Sequence, residues 1–333
     1  MCGRTNPAVL YPATGQVYNE FKGSYGNLSM EAIWTRYRKE KQAAIKRLLS
    51  QSELIETTLG VVETAQTGQG SAVLISHGSG GGYDMGIWLA RFLGGPYRYI
   101  APSRVGYLRS PAPANPTPEA QADLYAALLD LLKIDSAVVI GLSGGGASAL
   151  QFALRHSAGC SGLILISAIS RQVPPLPRVL RAIFPIMLIS DFLPWFLHAL
   201  APGRIYQANG VSREVLAQIR NDGETMRQLA ELFQTNFPST LRREGMLCDL
   251  QQMANPFPIP LERITIPALV IHAEDDPVVP IALGEYSAAT IPGARFLRLK
   301  DGGHFACVTH RKETLPAIHE FMEDLDPGGN LPR

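Results

Sequence analysis

The sequence predicts an α/β protein in which helices flank a mostly parallel β-sheet. Three observations lead to this prediction. Short apolar strands alternate with stretches of helical length, one strand ends in a glycine-rich turn that leads straight into a helix, and a long helical stretch interrupts the alternation once. Strands that alternate with helices form βαβ units, whose strands run parallel. The interruption predicts a helical cap inserted into the sheet.

The composition is that of a large globular protein. Of the 333 residues, 46% are hydrophobic and 18% are charged, and the net charge is +1. Because such a chain has no overall field that would gather a polyanion, we expect no nucleic-acid partner. The cysteines lie far apart and form no metal-binding pattern. Residues 1–16 lack a secretory signal, so we predict free thiols and a cytoplasmic location. The cysteines are Cys2, Cys160, Cys248 and Cys307.

Residues 1–51 precede the alternating pattern, and we predict that they form an N-terminal arm and helix. Residues 1–28 are rich in Gly, Pro, Asn and Tyr, which is typical of an extended arm. Residues 29–50 show helical periodicity, with an apolar face and arginines and lysines mostly off that face. A basic amphipathic helix can contact a membrane surface. A helix docked on the body of the protein explains the same pattern, and we favour docking.

Eight strand-like segments follow. They lie at Leu54–Thr58, Val61–Thr67, Ala72–Ile75, Tyr97–Ala101, Ala137–Ile140, Gly162–Ile166, Ile266–Ile271 and Ala294–Leu299. The helices between the earlier strands are predicted at Asp84–Leu93 and Pro118–Leu132, and another begins after the fifth strand.

Residues 172–261 are helical and interrupted by prolines, and we predict that they form a cap on a core made of residues 52–171 and 262–333. The part from Ala182 to Leu200 is apolar enough to suggest a membrane span. Asp191 lies inside it, however, and a charge at mid-membrane costs about 2.5 to 3.5 kcal/mol. We therefore expect apolar cap helices above a pocket.

The turn after the fifth strand, Gly141-Leu142-Ser143-Gly144-Gly145, fits the pattern G-x-S-x-G. In this nucleophile elbow a strained turn lifts the serine hydroxyl above the sheet. Glycines are required because a Cβ two residues before or after the serine would collide with the neighbouring strand and helix. The pattern predicts that Ser143 is a nucleophile.

A second glycine-rich turn, Ser76–Asp84, follows the third strand. A loop of this kind can cradle a dinucleotide, but Gly78, Gly80, Gly81 and Gly82 do not give G-x-G-x-x-G. The favoured use is an oxyanion loop, in which a backbone N–H faces the negative oxygen of a tetrahedral intermediate.

A serine nucleophile needs a base within hydrogen-bond reach and a carboxylate that orients this base. Both should follow later strands, in the order Ser, acid, His. The loop His272–Pro280 supplies the acidic residues Glu274, Asp275 and Asp276, and the loop Lys300–Phe305 supplies His304.

From about Ser52 to Asp326 these motifs resemble the α/β-hydrolase family. The acid loop is similar to the family's G-x-x-D-x-x-V-P, with Ala273 in place of the glycine, and this register makes Asp276 the acid. Asp275 is the alternative. The pair Gly303-His304 resembles the family's histidine loop.

The resemblance implies an eight-stranded sheet, a cap after strand 6 and a triad of Ser143, Asp276 and His304. It also implies that the backbone N–H groups of Ser79 and Gly144 form the oxyanion hole. The family's mechanism requires neither a metal nor another cofactor.

The function implied is that of a serine hydrolase, which cleaves a carboxylic ester or related acyl bond of a small, largely apolar substrate through an acyl-enzyme. The apolar segments Ile183–Ile189 and Phe192–Leu197 of the cap are expected to line its pocket. Two alternatives remain: a C–C bond hydrolase or acyltransferase of the same fold, and a hydrolase-fold protein that binds or signals without turnover.

Overall fold

One eight-stranded sheet organises the residues that the structure, a computed structural model, describes: 29–172, 188–254 and 258–325. Its spatial order is β1-β2-β4-β3-β5-β6-β7-β8. The pairs β1–β2 and β2–β4 are antiparallel, and every other neighbouring pair is parallel. The strands are β1 (Glu53–Thr57), β2 (Gly60–Thr67), β3 (Ser71–Ser76), β4 (Tyr97–Pro102), β5 (Ala137–Leu142), β6 (Cys160–Ile166), β7 (Ala268–Ala273) and β8 (Arg295–Leu299). The predicted fold class is confirmed.

The central strands are apolar along nearly their whole length because helices cover both faces of the sheet. Every residue of β7 is buried, and β5 is buried except for Leu142 at its end. Val73 pairs with Val138, and Ile140 pairs with Ile164. These pairings bring the carboxyl ends of β3, β5, β6 and β7 to one edge of the sheet.

Seven helices flank the sheet in the described part of the chain. Two of them begin with a side-chain cap: Ser29 accepts a hydrogen bond from Ala32 N, and Thr117 caps a helix whose first residue is Pro118. The helices are α1 (Met30–Ser50), α2 (Tyr83–Leu93), α3 (Pro118–Leu131), α4 (Gly146–Arg155), α10 (Ile281–Thr290), α11 (Ala306–Thr309) and α12 (Arg311–Leu325).

Between β6 and β7 the structure describes five more helices with given bounds, and we call residues 188–254 the inserted helices. They are α5 (Phe192–Leu200), α6 (Pro202–Ala208), α7 (Arg213–Ile219), α8 (Gly223–Gln234) and α9 (Arg243–Ala254). Arg242 Nη1 donates to Gly81 O at 2.8 Å, and Asn209 O accepts from His304 N at 2.8 Å. The inserted helices therefore meet the loops at the carboxyl edge of the sheet. Residues 173–187 and 255–257 of the predicted cap lie outside the described residues.

Helix α1 docks on the protein through its apolar face. Ile33, Tyr37, Ala44 and Leu48 are buried, and Leu48 packs with Tyr83 of α2. The apolar face of α1 thus contacts the rest of the protein, which agrees with docking on the body of the protein.

The N-terminal half of α1 packs against the inserted helix α5. Trp34 stacks on Phe192 with ring centroids 4.2 Å apart, and Trp195 Nε1 donates to Glu40 at 2.6 Å. Phe192 and Trp195 were expected to line a pocket, but they pack against α1. Ile183 to Met187 of the other apolar segment lie outside the described residues.

Among the described helices, none combines the length and the apolarity that crossing a membrane requires. Cys160, Cys248 and Cys307 are buried free thiols, and Cys2 lies outside the described residues. The thiol prediction is therefore confirmed for three of the four cysteines.

Candidate active site

Ser143 lies at the end of β5, on the turn that the elbow pattern predicts. Its backbone φ is 49°, a left-handed conformation that is strained for a serine. A Cβ at Gly141 would lie 2.8 Å from Ala149 Cβ of the following helix, and one at Gly145 would collide with the carbonyl oxygen of Ser76. Both glycines are therefore needed for the reasons that the sequence suggested.

The three side chains predicted as a triad form one chain of hydrogen bonds. His304 Nε2 lies 2.9 Å from Ser143 Oγ, and His304 Nδ1 lies 2.8 Å from Asp276 Oδ2. The loops after β5, β7 and β8 deliver the three groups, and these strands end at the same edge of the sheet. With Nδ1 protonated, His304 donates to Asp276 and can accept the hydroxyl proton of Ser143.

The Asp276 carboxylate is buried and held in its ionised form. Its Oδ1 accepts hydrogen bonds from Val278 N at 2.8 Å and Val279 N at 2.9 Å. Burial alone would raise the pKa of Asp276, but hydrogen bonds from His272 and His304 outweigh burial and hold it well below its ordinary value. Asp276 is therefore an anion at neutral pH.

The neighbouring Asp275, the alternative acid, points to different groups. Its Oδ1 accepts from Gly303 N at 2.8 Å, and its Oδ2 accepts from Gly302 N at 3.3 Å. Both glycines have positive φ and precede His304 directly. Asp275 thus braces the loop that presents the histidine, and the geometry favours Asp276 as the acid.

Ser79 and Gly144, the predicted oxyanion donors, lie side by side. A Cβ added at Gly144 would lie 3.2 Å from Ser79 N and would collide with Ser79 Oγ. Gly78 approaches the nucleophile as well, since a Cβ there would lie 3.3 Å from Ser143 Cβ. Within the described residues the Ser79 N–H donates to no acceptor, so it is available to a substrate.

His77 has a structural role in this loop. Its Nδ1 bonds to Gly78 O at 2.8 Å, and its Nε2 accepts from Arg104 N at 2.9 Å. Burial and the nearby Arg104 cation lower the pKa of His77 well below its ordinary value. A neutral His77 therefore fixes the start of the glycine-rich loop.

Sequence reasoning missed Asp249, on inserted helix α9. This buried carboxylate bonds to Arg104, Tyr107 and Ser79, three residues of the core. No motif surrounds Asp249 in the sequence, so only the three-dimensional contacts reveal it. Among the described residues no cluster of three or more His, Cys, Asp or Glu side chains has metal-binding geometry.

A family model described as the alpha/beta hydrolase fold matches residues 71–311, and the chain therefore belongs to that family. Helix α1 lies outside the matched residues.

Individual relatives agree with this assignment. The chain is 28% identical over 257 residues to a pimeloyl-[acyl-carrier protein] methyl ester esterase of Aromatoleum aromaticum, covering 75% of this chain and 97% of the relative. It is 29% identical over 204 residues to a putative carbamate hydrolase, RutD, of Caulobacter vibrioides, covering 61% and 71%.

Solved structures resemble most of the chain. An alpha/beta hydrolase fold protein from Nakamurella multipartita superposes with a TM-score of 0.73 at 30% identity, covering 83% of this chain and 98% of that one. A thermophilic esterase from Thermogutta terrifontis gives a TM-score of 0.61 at 26% identity, covering 83% and 99%. The chain is thus similar to hydrolases, several of which are esterases.

Proposed function

We propose that this protein is a serine hydrolase that cleaves a carboxylic ester, or a related acyl bond, of a small and largely apolar substrate. The observation that supports it most is the continuous hydrogen-bond chain from Asp276 through His304 to Ser143, on a strained elbow. A serine hydroxyl becomes an effective nucleophile at neutral pH when a base and an orienting carboxylate stand in this order.

The proposed reaction has two halves. Ser143 Oγ attacks the carbonyl carbon while its proton passes to His304 Nε2, and the resulting oxyanion accepts hydrogen bonds from Ser79 N–H and Gly144 N–H. The intermediate collapses, the bond to the leaving group breaks, and the leaving group takes the proton from His304. Water then attacks the acyl-enzyme by the same route and releases the acid.

The apolar character of the substrate rests on the surroundings of the triad. Ile169 N donates to Ser143 O at 3.0 Å, and Ile169 packs with Val279, Leu283 and Met253 of α9. The two arginines of the loop after β4, Arg104 and Arg109, are paired with Asp249 and Glu63 and are thus not free to bind an anionic substrate.

Two experiments test the proposal together. A fluorophosphonate, which phosphonylates activated serines, should label wild-type protein at Ser143 and should not label Ser143→Ala. Turnover of p-nitrophenyl esters of graded acyl length should then reveal which acyl chain is preferred. Labelling that survives in Ser143→Ala would refute the assignment of the nucleophile.

The alternatives would be recognised in the same assays. A C–C bond hydrolase or an acyltransferase would be labelled at Ser143 but would turn over simple esters poorly. A binding or signalling protein would show neither labelling nor turnover. The esterase among the relatives supports the acyl-bond reading.

A further inference from the structure

The Asp249 carboxylate joins the inserted helices to the loop that carries Ser79. It is 4% exposed. Its Oδ2 accepts from Ser79 Oγ at 2.6 Å, from Tyr107 Oη at 2.6 Å and from Arg104 Nη1 at 3.1 Å, while its Oδ1 accepts from Arg104 Nη2. All these donors belong to the core, so a residue of α9 completes a polar cluster beside Ser143.

The same cluster holds the backbone on both sides of Ser79. Tyr107 Oη donates to Asp249 and accepts from Gly80 N at 3.2 Å, and Arg104 N donates to His77 Nε2 at 2.9 Å. The hydroxyl proton of Ser79 is committed to Asp249, because a carboxylate accepts only. The remaining donor of Ser79 is its backbone N–H, which lies beside Gly144.

The charge of Asp249 is balanced locally. A lone carboxylate beside an oxyanion hole would repel the negative charge that develops on the substrate oxygen. Burial would lower the pKa of Arg104, but the adjacent Asp249 carboxylate outweighs burial and raises it, so that the guanidinium stays charged. The buried ion pair has no net charge, and Asp249 can hold Ser79 without opposing catalysis.

We infer that Asp249 is a positioning residue for acyl transfer, and this inference rests on the proposed function. Through the Ser79 hydroxyl it aims the Ser79 N–H at the place where the oxyanion forms. Loss of an oxyanion-hole donor costs about 10²–10³ in kcat. Since loss of the hydroxyl misaligns this donor without removing it, we expect a smaller cost, about tenfold to a hundredfold.

Ser79→Ala tests the inference cleanly. It keeps the backbone N–H and the Arg104–Asp249 pair, and it removes only the hydroxyl link. With the best p-nitrophenyl ester we expect kcat to fall about tenfold or more, while KM changes by less than about threefold. Binding of phenylboronic acid, whose tetrahedral adduct with Ser143 places an oxygen in the oxyanion hole, should weaken by a similar factor.

The matched control is Ser110→Ala, which removes another buried hydroxyl of the same region. Ser110 Oγ donates to Ser103 O at 2.8 Å and accepts from Glu63 N at 2.9 Å, and neither of these groups bonds to Asp249 or Ser79. It should lower the melting temperature without changing kcat or boronate affinity. Asp249→Asn should reproduce the kcat loss of Ser79→Ala.

Three results would overturn the inference. If the wild type is active and Ser79→Ala has the same kcat and the same boronate affinity, the hydroxyl link has no part in catalysis. If Ser79→Ala and Ser110→Ala lower the melting temperature by the same amount and have the same effect on kcat, the link between Ser79 and Asp249 is only structural. If the wild type is neither labelled nor active, the proposed function falls, and this inference falls with it.

Discussion

Two buried carboxylates, Asp191 and Asp249, anchor the inserted helices to different parts of the protein. Asp191 and Asp249 are 2% and 4% exposed. Asp191 accepts from Lys41 Nζ at 2.6 Å and from both the backbone N and the hydroxyl of Thr240 at 2.7 Å. Asp249 accepts hydrogen bonds from residues of the core, one of which is Ser79. Both carboxylates are buried and hydrogen-bonded, but Asp191 binds Lys41 of α1, whereas Asp249 binds Ser79 of the candidate active site.

The cations of the two anchors are also held differently. Lys41 lies on α1, outside the family match, and its side chain is 34% exposed, whereas the Arg104 side chain is 5% exposed. Water screens an exposed charge, so the Lys41 pair contributes modestly to stability. Among the described residues, Asp249 is the carboxylate that pairs with the buried Arg104, and removal of either leaves an uncompensated ion.

The largest effect should come from a third buried carboxylate, Asp276, which sets the scale for the other two. Asp276→Asn should lower kcat about 10³–10⁴-fold, because a neutral amide favours the wrong tautomer of His304. Asp275→Asn removes an acceptor from Gly302 N and Gly303 N and should cost far less. Steady-state kinetics with one ester compares them, and the reverse ranking would show that the acid loop is assigned in the wrong register.

The next effect compares the two anchors directly. Asp249→Asn should lower kcat about tenfold to a hundredfold, whereas Asp191→Asn should leave kcat within about threefold of wild type. Both variants should melt at a lower temperature, because each weakens a buried hydrogen-bond cluster. Equal losses of kcat in the two variants would mean that the inserted helices act on the site as one body and that the distinction between the anchors is wrong.

The parts of the site that lie in short motifs could be predicted from the sequence. Ser143 directly follows β5 and His304 lies in the loop after β8, and parallel strands must bring their carboxyl ends to one edge. The choice between Asp275 and Asp276 required the family's register, since adjacent acids in one loop are equivalent by composition. The structure separates them by their hydrogen-bond partners.

The anchors could not be predicted, because their partners are far apart in the chain. Asp249 and Arg104 are separated by 145 positions, and no motif in the sequence surrounds Asp249. The apolar face of α1 was visible in the sequence, but not its partner α5. Large aromatic residues such as Phe192 satisfy an apolar pattern equally well in a pocket or in a helix contact, and here the contact with Trp34 uses them.

A third effect is a pH dependence of stability, and it comes from His198 on α5, the inserted helix that packs against α1. Burial lowers the pKa of His198, which stacks on Phe233, to about 4, and the Glu40 carboxylate offsets only part of this shift. Unfolded histidine titrates near pH 6.5. Between these values the unfolded chain binds more protons, so stability is lost as pH falls from about 6.5 towards 4.

His198→Phe keeps an aromatic ring at this position and removes the group that titrates. The melting temperature of wild type should therefore fall more steeply than that of the variant between pH 7 and pH 5, as thermal denaturation would measure. Parallel curves would show that His198 is protonated as readily in the folded chain as in the unfolded one.

The smallest effect tests whether α1 fastens the inserted helices without assisting catalysis. Lys41→Met removes the cation from Asp191, which keeps its bonds to Thr240. Breaking a fully buried pair costs about 3–5 kcal/mol, but Lys41 is one-third exposed, so we expect about 1 kcal/mol, measured by urea unfolding, with kcat unchanged. Lys39→Met, an exposed lysine of the same helix, should be neutral. If Lys41→Met is equally neutral, the ion pair does not fasten α1; if it lowers kcat, the Asp191 side reaches the active site and the contrast with Asp249 fails.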